Sequence, residues 1–451
     1  MVNASTYDLV VIGGGTAGVV CAVGGASLGA RVALVERDRL GGECLHTGCV
    51  PSKALLGAAR DGADFSTAMS RVRRAIAATE PHDSASRLAS LGVDVFFGGA
   101  EFRSTREAAV GDRRLRFRRA VIATGSRAAV PHIPGLSTIP YLTNESLFSI
   151  SEQPRSLAVL GGGPMGCEMA QAFVRLGTQV TLVEASARLL TRDDADAASI
   201  VAKRLQDDGV TVLTGTEVTG AAREDGAIVL AHAAGTVTVD AVLLATGRLP
   251  NTEQLRLDAA GVEADARGIR VDDYLRTTNP RVYASGDVCP GLHFTHAADA
   301  TSRLVVENAL FFRRKRASRL LIPWCTFTSP EVAHVGMSAV AAEAAGCRSI
   351  TVPLADVDRA VIDGDTTGFV RVHHDGGRIR GATIVAPHAG EMIGAVAVVM
   401  RRGGTLSELA STVFPYPTTS TALRHAGDAF RREALTPRNR AMLRAYFAVF
   451  R

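Results

Sequence analysis

Over the first 290 residues, short apolar runs end at glycine and lead into helical stretches. Residues 7–12 (Tyr-Asp-Leu-Val-Val-Ile) predict a strand, the small residues after them a helix to about Leu28, and residues 31–36 (Arg-Val-Ala-Leu-Val-Glu) a second strand. The order returns downstream, with a strand over residues 156–160, a helix to about Leu176 and a strand over residues 179–184. Between these repeats, residues 55–92 read as Ala-rich helix. Three more apolar runs close on turn residues, at 120–126, 241–251 and 281–288. From about Phe327 the texture changes: residues 369–372 and 379–385 alternate as antiparallel strands, and amphipathic helical segments follow. The pattern predicts an α/β fold of two strand–helix–strand halves, with a separate α+β domain at the C-terminal end.

Composition adds limits rather than chemistry. The chain has 451 residues, 47% hydrophobic and 21% charged, which suits two or three globular domains. No apolar run reaches the ~18 residues of a membrane span. Residues 1–8 carry neither a basic region nor a signal-type apolar core, so cytoplasmic location is the expectation. A net charge of +5 is mild for this length and gives no reason to expect nucleic acid. Lysine occurs only at Lys53, Lys203 and Lys315, so Lys53 stands out as a compact point charge in an Arg-rich chain. Seven cysteines is an odd number, and Cys21, Cys167, Cys289, Cys325 and Cys347 are scattered singly. A reducing compartment with one functional pair fits better than a disulfide framework.

The glycines carry the first chemistry. Gly13-x-Gly15-x-x-Gly18 follows the first strand at once, and Glu36 ends the second strand 18 positions after Gly18. In such a unit glycine permits a tight turn and close backbone approach, the helix N-terminus receives a pyrophosphate, and the acid meets ribose hydroxyls. Gly161-x-Gly163-x-x-Gly166 and Glu184 repeat the arrangement. A carboxylate at Glu184 accepts from a 2′-hydroxyl and repels a 2′-phosphate, so NADH is favoured, while Arg188 leaves NADPH open. The strand ends at Thr124-Gly125-Ser126, Thr246-Gly247-Arg248 and Ser285-Gly286-Asp287 gain meaning from their order, and Asp287 can meet a ribityl or ribose hydroxyl.

Just after the first unit stands Gly41-Gly42-Glu43-Cys44-Leu-His-Thr-Gly48-Cys49-Val-Pro-Ser-Lys53. A helix turns ~100° per residue, so cysteines five apart lie ~140° apart on a regular one. Bridging them needs a looped first segment, which Gly41, Gly42 and Gly48 permit. Thiolates do the work in such a pair, and a helix N-terminus and a cation lower their pKa; Lys53 can supply the cation. A redox pair beside two dinucleotide sites predicts an electron path from nicotinamide through flavin to cysteine.

Together, Gly-Gly42-x-Cys44-x4-Cys49-x-Pro-Ser-Lys53, the two glycine loops, the two Ala-Thr-Gly strand ends and Ser-Gly-Asp287 resemble the flavoprotein pyridine nucleotide-disulfide oxidoreductases over essentially the whole chain. Phe294-Thr-His296-Ala and the segment from Phe327 to Gly336 look most like the mercuric reductase branch. The resemblance implies two Rossmann-like domains, with FAD on the first and NAD(P)H on the second. It implies an obligate homodimer with an active site shared between subunits. It assigns residues 1–150 and 273–325 to FAD, 151–272 to NAD(P)H and 326–451 to the interface. By position it implies Cys44 as the thiol that meets substrate and Cys49 as the thiol against the flavin. It also implies Lys53 near the flavin and paired with Glu168, and Asp287 on the ribityl chain. Gly42, Thr124, Gly125 and Gly247 join the implied cofactor contacts.

The chain departs from that pattern near its end. Disulfide-reducing members carry His-Pro-x-x-x-Glu, a dyad that protonates a leaving thiolate; here Tyr416 and Thr421 stand at those places. A phenol with an ordinary pKa of about 10 is a poor proton shuttle near neutrality. His425, one turn on, reads as a surrogate base or a helix-surface residue. Mercuric reductases also have Tyr there but add a C-terminal cysteine pair, and no cysteine follows Cys347. The expected acceptor is therefore non-standard: a soft metal ion, a quinone or an unusual sulfur compound, with no resident metal. The alternatives are a reductase for an unusual low-molecular-weight disulfide, or a redox-sensing or metal-sequestering flavoprotein. Residues 431–451 predict a basic amphipathic helix, docked on the protein's own surface or touching anionic membrane.

Overall fold

Strand β1 (Ser5–Ile12) is covered on both faces, with Leu9, Val10 and Val11 fully buried, as a parallel strand between helices must be. Helix α1 (Thr16–Ser27) follows, and its Ala17, Gly18, Ala22 and Gly25 are small enough to lie close to the sheet. Strand β2 (Val32–Glu36) pairs parallel with β1, Leu9 opposite Val32. Then come α2 (Gly42–His46) and α3 (Cys49–Arg60). The Ala-rich stretch beyond is three helices rather than one, because Asp64 and Ser84 cap new starts at Phe65–Thr79 and Ala85–Ser90. Strands β3 (Val93–Phe97), β4 (Ala100–Ser104), β5 (Glu107–Val110) and β6 (Arg113–Ile122) complete a sheet of order β3-β2-β1-β6-β5-β4.

The second half repeats the plan. Strand β7 (Ser156–Leu160), helix α4 (Pro164–Arg175), strand β8 (Gln179–Val183) and strand β9 (Ala241–Leu244) follow in order, and β7 pairs parallel with both β8 and β9. Strand β10 (Val282–Ala284) then returns to the first sheet beside β6. Helix α5 (Thr295–Leu310) packs on α1, where a Cβ at Gly24 would meet Val306 at 3.3 Å.

Strands β11 (Trp324–Thr326), β12 (Glu331–Gly336), β13 (Arg348–Pro353), β14 (Phe369–Asp375) and β15 (Arg378–Ala386) form an antiparallel sheet of order β11-β12-β15-β14-β13. Helices α6 (Ala389–Arg401), α7 (Leu406–Ser411) and α8 (Thr421–Glu433) share its core through Ile393, Val396, Leu406 and Leu423. The computed structural model describes residues 5–312, 314–433 and 435–450. It divides into two compact units, one of residues 1–161, 172–183 and 217–320, the other of residues 162–171, 184–216 and 321–451. Met1 to Ala4 of the N-terminal segment, and Ala434 and Arg451 of the predicted tail, lie outside the described residues.

The tail corrects an expectation. Helix α9 (Pro437–Val449) forms, but it does not dock on its own chain: every residue over 435–450 is exposed. The core of this region is closed by Ala422, Leu423 and Ala426 of α8, without a contribution from α9.

Candidate active site

The first glycine loop is shaped for an anion. Gly13 has φ +109°, and a Cβ there would lie 2.2 Å from the Ala123 carbonyl oxygen, so no other residue fits. Glu36 Oε2 accepts the Gly14 N–H at 2.6 Å, and Oε1 accepts the Asp38 N–H at 2.7 Å. The acid thus fixes the loop, and the remaining lone pair on each oxygen is available to a hydroxyl. Helix α1 begins with no side-chain cap and no acid in its first turn. A Cβ at Gly15 would meet only Gly42 Cα, at 3.7 Å. An uncapped, positive helix end in a glycine-walled cradle fits a pyrophosphate.

The second loop has the same bonding. Gly161 has φ +110°, and a Cβ would lie 2.4 Å from the Ala245 oxygen. Glu184 Oε2 accepts the Gly162 N–H and Oε1 the Ser186 N–H, both at 2.6 Å, and nothing lies within 4 Å of a Cβ at Gly163. Gly166 sits in the first turn of α4. Arg188 is committed elsewhere, donating to the carbonyls of Leu189, Leu190, Thr191 and Asp193.

The two Thr-Gly strand ends meet. Residues Arg248–Pro250 pair antiparallel with Ser126–Ala128, and Thr124 Oγ1 donates to the Asn251 carbonyl at 2.6 Å. Cβ positions at Gly125 (φ +66°) and Gly247 (φ +125°) open into free space. Asp287 Oδ2 accepts from Ser126 Oγ at 3.1 Å and lies 3.9 Å from Arg248 Nε.

The cysteine segment breaks where its glycines allow. Helix α2 ends at His46, α3 begins at Cys49, and Thr47 and Gly48 link them. A Cβ at Gly48 would lie 2.9 Å from the Glu43 oxygen and 3.2 Å from Cys44 Cα, so its bare backbone allows the two ends to approach. Cys44 and Cys49 are free thiols. The hydrogen bond to Cys49, and then burial, hold the Cys44 pKa well above the ordinary thiol value. Cys49 Sγ lies 3.4 Å from Thr295 Oγ1. Each of these residues opens a helix, so two positive helix ends face one sulfur. Lys53 lies one turn along α3 from Cys49. Glu168, on α4, is buried and accepts the Phe327 N–H at 2.9 Å.

Sequence reasoning missed the charged cluster beside this pair. Glu43 Oε1 accepts from Asn144 Nδ2 at 2.9 Å, and Oε2 is paired with Arg248. Burial pushes the Glu43 carboxyl up to about 7 despite the Arg248 guanidinium, and Asp287 and Cys49 add to the rise. An acid between Gly42 and Cys44 was the available signal. The single cysteines behave as buried packing: burial pushes Cys21 and Cys289 up to about 12 and Cys167 higher still.

No ready proton donor appears among the other candidates. His46 is buried, with Nε2 2.8 Å from the Leu40 carbonyl. Tyr416 is 73% exposed, and donating its hydroxyl to Asp358 raises its pKa. Thr421 Oγ1 donates to the Thr418 carbonyl, and His425 is half-buried on α8.

Comparison with known proteins gives this geometry a family. Residues 7–302 match the model described as pyridine nucleotide-disulphide oxidoreductase, and residues 322–427 match its dimerisation domain. The chain is 35% identical to a mercuric reductase of Streptomyces lividans, over 95% of this chain and 98% of that one. It is 33% identical to the probable pyridine nucleotide-disulfide oxidoreductase RclA of Escherichia coli, over 92% and 98%. The solved HOCl-induced flavoprotein disulfide reductase RclA superposes with TM-score 0.89 at 32% identity, covering 94% of this chain and 99% of that one, and its Cu(II) complex gives the same TM-score. LpdA of Mycobacterium tuberculosis superposes with TM-score 0.86 at 26% identity, over 94% and 99%. The chain belongs to the class I pyridine nucleotide-disulphide oxidoreductases near the mercuric reductase branch, FAD-dependent enzymes that draw electrons from NAD(P)H.

Proposed function

We propose that this enzyme passes electrons from NADH through FAD to the Cys44–Cys49 pair, and that its substrate is a soft metal ion of the Hg(II) or Cu(II) kind. The observation that carries the reading is a pair of thiols in contact, with the two positions that hold a proton-donating dyad in disulfide-reducing relatives occupied by an exposed phenol, Tyr416, and by Thr421. A soft cation needs two thiolates and no such proton. Relatives named mercuric reductase, and RclA solved with Cu(II), support the same class.

Bound FAD would supply the two-electron relay between nicotinamide and sulfur. The protein's part is charge placement. Cys49 carries the negative charge at two helix ends, and Lys53, one turn along α3, adds a cation. Cys44 gives up its proton when the metal ion binds, and Glu43, adjacent in the chain and titrating at about 7, can take it. One NADH reduces one Hg(II) to the metal, or two Cu(II) to Cu(I), releasing NAD+ and one proton. NADH is the preferred donor because Glu184 repels a 2′-phosphate and Arg188 is bound to four carbonyls. The dimerisation-domain match supports a homodimer, and exposed Val398, Val413 and Tyr416 supply candidate contact surface.

Anaerobic NADH titration of the holoenzyme should bleach the flavin and raise a long-wavelength thiolate–flavin band, which Hg(II) or Cu(II) should remove. Cys44→Ser should abolish metal-dependent NADH oxidation while flavin reduction persists. Faster turnover of lipoamide, glutathione disulfide or a quinone than of any metal ion would refute the reading.

A further inference from the structure

We infer that the C-terminal helix α9 is a docking element for an anionic lipid surface. The inference is independent of which acceptor the enzyme reduces.

The helix has its own start signals: Thr436 Oγ1 accepts the Asn439 N–H at 3.2 Å, and Pro437 occupies the first turn. At ~100° per residue, Met442, Leu443, Tyr446, Phe447, Val449 and Phe450 fall within an arc of roughly 160°. Arg438 and Arg440 flank the arc, and Arg444 lies with the alanines on the opposite side. Asn439, in the first turn, is the one interruption. The apolar arc faces solvent: Met442 is 65% exposed, Phe447 54% and Phe450 71%. The Tyr446 ring lies 4.6 Å from Phe450 and 5.6 Å from Phe447, so the aromatic side chains form one patch.

Charge selects the occupant. No Asp or Glu occurs over residues 434–451, while Arg438, Arg440, Arg444 and Arg451 do. A second copy of a chain with net charge +5 carries no net opposite charge for an Arg-flanked face, whereas an anionic bilayer is complementary over its whole surface. Aromatic and aliphatic side chains enter the headgroup boundary, and arginines on the flanks reach the phosphates. Among the described residues no helix is long and apolar enough to cross a membrane, and α9 at 13 residues would lie in the surface plane.

The test uses full-length holoenzyme and sedimenting vesicles of phosphatidylcholine, with and without phosphatidylglycerol. The parent protein should co-sediment with the anionic vesicles only, and less so as salt rises. A variant carrying Arg438→Gln, Arg440→Gln and Arg444→Gln should bind roughly a hundredfold more weakly, from about fivefold per arginine. A Phe447→Ser, Phe450→Ser variant should also lose binding. Both should keep the parent's sedimentation coefficient and NADH oxidation with a soluble acceptor. Absence of co-sedimentation, or its retention in both variants, overturns the inference. So does a smaller sedimentation coefficient in the aromatic variant, which would make this face a contact between copies of the chain.

Discussion

Glu43→Gln is the sharpest probe of the charged cluster beside the cysteines. The Glu43 carboxyl titrates at about 7 in the folded protein, against an ordinary 4.5, because burial disfavours its charge more than Arg248 favours it. A folded pKa above the unfolded one means that the native state binds the extra proton. The stability this gives is fully present below about pH 4.5 and is lost as pH rises through about 7. The full shift corresponds to ~3.4 kcal/mol at 1.36 kcal/mol per unit. The Glu43 side chain is 33% exposed, and solvent screening reduces that figure to roughly 1–2 kcal/mol. Glutamine keeps the acceptor for Asn144 but cannot ionise, and it removes the Glu43 charge from Arg248 at every pH, leaving Arg248 with Ser126 and the more distant Asp287. The loss of that pair is a constant offset, whereas the ionisation of Glu43 is a slope. The assay is therefore a difference: thermal melting of parent and variant holoenzyme from about pH 5 to pH 8.5. The parent should lose roughly 1–2 kcal/mol relative to the variant across that range, levelling above about pH 8. Infrared spectra should show a protonated carboxyl band in the parent at low pH that Glu43→Gln removes. Oxidising the pair to the disulfide removes the charge at Cys49, so the midpoint should move down. Parallel melting curves, or a carboxyl that titrates below about pH 5, would refute the reasoning.

The other expectations follow from single contacts. Gly48→Ala should push α2 and α3 apart at the 2.9 Å approach to Glu43, so disulfide formation between Cys44 and Cys49 should slow by an order of magnitude or more, read by thiol titration after oxidation. Glu184→Ser should raise the NADPH-to-NADH ratio of kcat/KM by roughly tenfold, about 1.4 kcal/mol of relieved repulsion. Arg188→Met should lower the melting temperature by loosening its four carbonyl contacts and leave that ratio unchanged. His334, His373 and His374 are buried with pKa values below the ordinary 6.5, so their contribution is intact above about 6.5 and is lost as pH falls from there toward the depressed folded values. Far-ultraviolet circular dichroism at falling pH should therefore show acid lability, and His374→Phe, which removes one titrating ring and its unpartnered Nε2, should reduce it.

What the chain revealed in advance depended on sequence distance. The strands of the two dinucleotide halves were legible because each is an apolar run ending in glycine, and burial of β1 on both faces is what such a run requires. The break between Cys44 and Cys49 was legible because five positions on a regular helix cannot face one another and three glycines offered a way out. Glu36 and Glu184 were recognised as acids at the right place, but their grip on the glycine loop at 2.6 Å was not, since spacing alone does not tell a ligand contact from a loop contact. Arg188 shows the same limit. Its position suggested a free cation near a phosphate, and only the turn that follows it supplies the four carbonyls that occupy it.

The Glu43–Arg248 contact spans 205 positions and could not be read from either motif alone. It arises because the two Thr-Gly strand ends, each an ordinary turn by itself, pair antiparallel and deliver Arg248 to the carboxylate beside Cys44. The pairing matters chemically because the His-Glu dyad is absent. A two-electron couple needs somewhere for its proton near neutral pH, and a half-buried carboxyl held at about 7, adjacent in the chain to Cys44 and within Coulombic reach of Cys49, meets that need where an exposed phenol does not. The loss of the dyad at Tyr416 and Thr421 and the presence of Glu43 are then two halves of one arrangement. If so, Tyr416→Phe should leave the pH profile of NADH-driven metal reduction in place, and Glu43→Gln should displace its limb near pH 7. A profile displaced by Tyr416→Phe and untouched by Glu43→Gln would return proton handling to the phenol.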